Sequence, residues 1–134
     1  MAHKTVIPFQ NALVVLMDSI SYLNEHDQGA FVVSGSHGGI SSARYALAVS
    51  LRGVVFNDAG IGKDQAGIAG LELLDTAGVP AIAVAHTSAR IGDAADTWAN
   101  GLVSAFNQAA AARGVRMHLS VQEAATCILS DNVR

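Results

Sequence analysis

The chain has 134 residues, 51% hydrophobic and 14% charged. That is enough for one domain with a real core and too few for a catalytic domain plus a separate substrate domain, so a single domain over 1–134 is expected. Eight basic residues against eleven acidic ones, with no basic cluster, supply none of the electrostatic footprint that phosphate-backbone binding needs, and nucleic acid is not an expected partner. No run approaches the roughly 18 apolar residues of a membrane span, no cleavage-site pattern follows the N-terminal apolar stretch, and the single Cys127 cannot form an internal disulfide. These features predict a cytoplasmic protein with no membrane partner. So little charge to cover so small a body predicts a homo-oligomer.

In chain order, Leu13, Leu16, Met17, Ile20 and Leu23 carry helical spacing, and Gly29 closes that segment. The run "AFVVS" after it predicts a strand over 31–34. The alanine-rich stretch from Ile40 predicts the next helix, closed by Gly53, with "VVFND" predicting a strand over 54–56. Ile68, Leu71 and Leu74 predict a third helix closed by Gly78, and "VPAIAVAH" a strand over 81–85. Leu102, Val103 and Phe106 predict a fourth helix closed by Gly114, and "VRMHLS" a strand over 116–119. Each glycine stands where a helix C-cap takes a positive φ. Ser120 and Glu123 have the spacing of a capping box that opens a final helix. Helices alternating with short, nearly all-apolar strands predict an α/β fold. The expected form is a small three-layer sandwich with a parallel sheet of about four strands, Rossmann-like or flavodoxin-like.

In such sheets ligands bind beyond the carboxyl ends of the strands. The residues expected there are Ser34, Ser36 and His37, then Asn57 and Asp58, then His86, Thr87, Ser88 and Arg90, then His118 and Ser120. Serines and aspartates cap and turn in any fold of this kind. Histidines cap poorly, and their recurrence at these ends points to a functional rim. Ser36 stands between strand and helix with small residues two before (Ser34) and two after (Gly38), as a nucleophile elbow requires, although a glycine usually takes the place of Ser34. Asp58 and His86 follow in the order nucleophile, acid, base. The alternative is a divalent metal held by His37, Asp58 and His86 with one position open to water.

Glycines at 35, 38 and 39 do not make the dinucleotide fingerprint, and in "NDAGIGKD" Asp64 replaces the magnesium-binding hydroxyl of a P-loop, so no nucleotide cofactor is expected. "SGSHGG" resembles the strand-end histidine-glycine motif of creatininase-like metal amidohydrolases but lacks their upstream ligands. "VVSGSHGG" with "VVFNDAGIG" resembles paired strand ends of caspase-fold peptidases, but Ala59 and Gly60 stand where the cysteine is needed. Both likenesses span a few residues, and neither assigns a family.

The expected function is an enzyme, a hydrolase or related acid-base catalyst, acting on a small polar or anionic metabolite. His37 and His86 form its acid-base pair, with Asp58 as orienting carboxylate and Ser36 as candidate nucleophile. Arg90 and the Gly38 and Gly39 amides are candidate anion or oxyanion donors. Ser34, Asn57, Lys63, Ser88 and His118 complete the candidate binding set. A non-catalytic ligand-binding or regulatory subunit using the same rim is the second class. Lys63 and Asp64 are expected as a salt-bridged helix start with Asp64 as its N-cap, and Asp93 as another N-cap. His3 and His26 are expected on the surface, Trp98 in a core or interface, and Cys127 as a buried small hydrophobe.

Overall fold

The computed structural model describes residues 3–130. Six strands form one sheet in chain order: β1 (Lys4–Phe9), β2 (Ala12–Met17), β3 (Phe31–His37), β4 (Gly53–Asn57), β5 (Ala81–Val84) and β6 (Val103–Phe106). β2 to β5 are parallel, and β1 and β6 run antiparallel along the two edges. The fold is α/β, as expected, but the sheet is mixed and has six strands. The strand order never doubles back, which sets it apart from the Rossmann and flavodoxin orders.

Three of the four expected strands are present, and two segments read as helices are strands instead. The run "ALVVLM" at 12–17 is apolar at both parities, so it suits a strand buried on both faces as well as it suits a helix. Val14 packs into one core, and Val15 and Met17 into the other. Gln10 and Asn11 make the turn that pairs β2 back onto β1, with Gln10 at φ 56. Val103–Phe106 pairs with β5. The segment 116–119, expected as a strand, is a turn in which Arg116, Met117 and His118 are exposed and His118 has φ 73. Its one ladder contact is the neighbouring bridge from Ser120 to Leu102.

Helices α1 (Ile40–Leu47) and α2 (Gly70–Thr76) cover one face of the sheet over Val32, Val54, Phe56, Ala81 and Ala83. Strands laid down in one direction with crossovers of one hand place those crossovers on one side, which explains this layer. Helices α3 (Ala94–Asn100), α4 (Gln108–Ala111) and α5 (Val121–Leu129) follow β5. α5 covers the other face over Phe31, Val33, Val55, Ile82 and Val84, completing three layers. Ser120 and Glu123 form the expected capping box of α5, and Asp93 caps α3 by accepting from the Asp96 N–H. Gly29, Gly78 and Gly114 have positive φ, whereas Gly53 is the buried first residue of β4, with the Phe31 ring lying over it. Cys127 is half-buried beside Gly114, and Trp98 packs edge-on to Phe9, with ring centroids 5.0 Å apart. Among the described residues no helix is long and apolar enough to cross a membrane.

Candidate functional site

The carboxyl end of β3 carries an irregularity. β3 takes four steps from Val33 to His37 while β4 takes two from Val55 to Asn57, so Ser34, Gly35 and Ser36 bulge out of the ladder with β4, although Ser34 still pairs with Met17 of β2. The bulge is packed against other backbone. The Ser34 hydroxyl is fully buried and donates to the Val55 carbonyl at 2.8 Å. Gly35 accepts from the Gly92 N–H at 2.8 Å. The Ser36 Oγ accepts from the Ile20 N–H at 3.0 Å, and no imidazole hydrogen-bonds it among the described residues. The Gly38 N–H donates to the Asn57 and Gly67 carbonyls. The Gly39 N–H donates to Nδ1 of His37 at 3.0 Å. The expected oxyanion donors are therefore engaged, and the Ser36 oxygen pins the turn that follows β2. His37 is exposed, and its ring folds back over the Gly39 amide because Gly39 has no Cβ; a methyl there would stand 2.8 Å from Nδ1.

Across the end of β4 the arrangement differs. Asp58 is 5% exposed. Its Oδ1 accepts from the Gly60 N–H at 2.8 Å and the His86 N–H at 3.0 Å, and lies 3.4 Å from His86 Nδ1. Its Oδ2 accepts from the Ser104 hydroxyl at 2.7 Å. Burial alone would raise the Asp58 pKa; the hydrogen bonds from Ser104, Gly60 and His86 and the charge of His86 outweigh it and hold the carboxyl below its ordinary 3.8. The His86 side chain is 56% exposed, and one ring face lies against Gly60. Among the described residues Asp58 is the only acidic group within ion-pair distance of His86.

These contacts favour opposite ring-proton placements in the neutral imidazoles. His37 accepts a backbone N–H at Nδ1, which favours its proton on Nε2. His86 faces a carboxylate with Nδ1, which favours the proton there and a lone pair on Nε2. His37 and Val84 are register partners of the same Asn57, so the two histidines rise from the strands on either side of β4, whose axes are about 10 Å apart.

The remaining expected residues serve the fold or face solvent. The Asn57 side chain is buried between the Ala89 carbonyl and the Ala59 N–H. Ser88 donates to the Ala85 carbonyl and accepts from the Leu102 N–H. Arg90 is exposed and lies 3.9 Å from Asp93, while its N–H donates to Asp96. Lys63 is exposed, and Asp64 has φ 57 with Gly62 as the cap, so Asp64 is not the N-cap expected there. Among the described residues no group of three or more His, Cys, Asp or Glu side chains is arranged to hold a metal ion, so His37, Asp58 and His86 do not form the expected ligand set.

Two residues were not legible as rim residues. His3 stands beside Asp18, with Nδ1 to Oδ2 at 3.4 Å, because antiparallel β1 begins where β2 ends. Ser104 lay in a segment read as helix, and no local pattern marks it. His118, outside any strand, reaches the same end by donating its N–H to the Val103 carbonyl at the start of antiparallel β6.

A cavity of about 380 Å³ lies elsewhere, between α2 and the far end of β6, lined by Gln65, Glu72, Asp75 and Gln108 among others. It shares no residue with the Asp58 and His86 cluster. In comparisons with known proteins, no family model, no curated sequence and no solved structure matches this chain.

Proposed function

We propose that this protein is a hydrolase for a small polar substrate bound across the end of β4, between His37 and His86. The observation that carries this reading is the pair of Nδ1 contacts at the rim, the Gly39 N–H on His37 at 3.0 Å and the Asp58 carboxylate 3.4 Å from His86, which leave His37 Nε2 to act as donor and His86 Nε2 as base. His86 Nε2 takes a proton from water as the oxygen attacks an ester or amide carbonyl. Asp58 stabilises the imidazolium so formed across the 3.4 Å to Nδ1. Such contacts are commonly long without substrate and shorten when the ring is charged. The His37 Nε2–H donates to the carbonyl oxygen as negative charge develops there. The tetrahedral intermediate collapses, and the leaving group departs with the proton returned by His86. Water, rather than Ser36, is the nucleophile, since the Ser36 oxygen faces the Ile20 N–H.

The test is turnover on a panel of small esters, amides and lactones, measured beside melting temperature for the wild type, His86→Asn and His37→Asn. Both side chains are exposed, so both variants should melt close to wild type, and His86→Asn should lose roughly a hundred- to ten-thousandfold in turnover. Full activity per folded molecule in His86→Asn, or no turnover of any panel member by the wild type, would overturn the reading.

A further inference from the structure

The strand β6 carries the second irregularity of the sheet. Ala105 pairs with Ala83 and Val103 with Val84, so Ser104 is an extra residue with no partner on β5. In regular pairing Ser104 would stand opposite Val84 and project toward the α5 side of the sheet. The bulge instead lets Val103 take that buried place and frees the Ser104 hydroxyl to reach Asp58. Bulges re-aim single side chains in this way.

The rotation of an aspartate carboxylate about its last bond is soft, so its partners set the orientation. Two backbone amides hold Oδ1, and Ser104 is the only partner of Oδ2 among the described residues. Around His86 the loop after β4 presents Gly60, and among the described residues Asp58 is the one acidic group within ion-pair distance. We infer that Ser104 is a positioning residue, whose bulge-aimed hydroxyl fixes the Asp58 carboxylate so that Oδ1 faces His86 Nδ1 and holds the ring proton there. The catalytic use of that tautomer rests on the acid-base reading above, but the tautomer itself is observable without a substrate.

The experiment records the ring ¹⁵N shifts of His86 in the intact chain above the pH range in which histidine titrates, with the signal assigned by its loss in His86→Asn. Wild type should show one Nδ1–H signature. Ser104→Ala should lose it in favour of an averaged signal with the Nε2–H form, and Ser104→Thr, which keeps a hydroxyl, should restore it. Ser104→Cys keeps size and bulge with a weak donor, so it serves if the alanine variant does not fold, and it too should lose the single signature. A folded Ser104→Ala or Ser104→Cys protein with the wild-type signature sinks the inference, as does Ser104→Thr that folds without restoring it. A changed tautomer together with full turnover in His86→Asn would leave the positioning role standing and remove the hydrolase reading.

Discussion

The two bulges of this sheet are put to opposite uses. In β3 the extra residues at Ser34 to Ser36 make room for other backbone: the chain near Asp18 and near Gly92 and Asp93 closes in on Gly35. In β6 the single extra residue Ser104 reaches a carboxylate that lies beside an exposed imidazole. In sequence neither segment declares its use: β3 runs into several small polar residues in "VVSGSHGG", and Ser104 is one small polar residue inside the apolar run "LVSAF". The difference lies in where the side chains end: every contact of the β3 bulge is with an amide or carbonyl, while the Ser104 hydroxyl of the β6 bulge, 3.4 Å from the Ala83 carbonyl, makes its shorter contact, 2.7 Å, with the carboxylate of an ionisable pair. Strand-end polarity is therefore poor evidence of a site until its hydrogen-bond partners are known.

The largest effect that can test this contrast is Gly35→Ala. A methyl there would stand 2.6 Å from the Asp93 nitrogen and the Gly92 carbonyl carbon and 2.7 Å from the Asp18 oxygen. Two neighbouring backbone segments would have to move, so a loss of at least about 3 kcal/mol is expected in urea unfolding. A variant as stable as wild type would show that the crossing is loose. Asp58→Asn should cost about 1–3 kcal/mol at neutral pH by removing charge-assisted bonds. Because the folded carboxyl is held below 3.8, its contribution is present above 3.8 and lost as pH falls through the lower folded value. The stability gap between wild type and Asp58→Asn should therefore close in acid below about pH 4, and a gap that widens there would reverse the sign. The smallest effect is that of Ser36→Ala, which removes the acceptor of the Ile20 N–H and should cost about 1 kcal/mol without changing turnover. A hundredfold loss of turnover in that variant would bring the β3 bulge into the chemistry and dissolve the contrast.

What the sequence made legible follows the range over which each signal acts. The helix end at Gly78, the positive φ of Gly29 and Gly114, the cap at Asp93 and the capping box at Ser120 are local, and the structure has them, although the helices expected before Gly29 and Gly114 are strands β2 and β6. The buried strands β3, β4 and β5 announce themselves as apolar runs. β2 does not, because a run apolar at every position carries no period. β6 is four residues long, and its pairing is decided by β5. "VRMHLS" has one buried residue, Val115, before its exposed tail, too little to hold an edge strand. Asp58 and His86 were placed at the same rim because both follow parallel strands. Ser104 was missed because a bulge exists only relative to a partner, and His3 because its proximity depends on β1 running antiparallel.

The match between strand order and chain order also bears on how the molecule is made. Each strand pairs with the strands before and after it in the chain, so every loop that closes joins neighbouring elements and the entropic cost of closure stays small. Such a sheet can lengthen one strand at a time at its growing edge, with no gap left for a later strand to enter, which favours fast assembly for a fold rich in parallel pairs. Because the hydroxyl that reaches Asp58 arrives on the last strand, the early part of the chain can condense into stable layers before the ionisable pair is complete. A truncated or half-synthesised chain would then carry His37 and His86 without the Ser104 anchor, and the hydroxyl contact to Asp58 would form only with closure of the final edge.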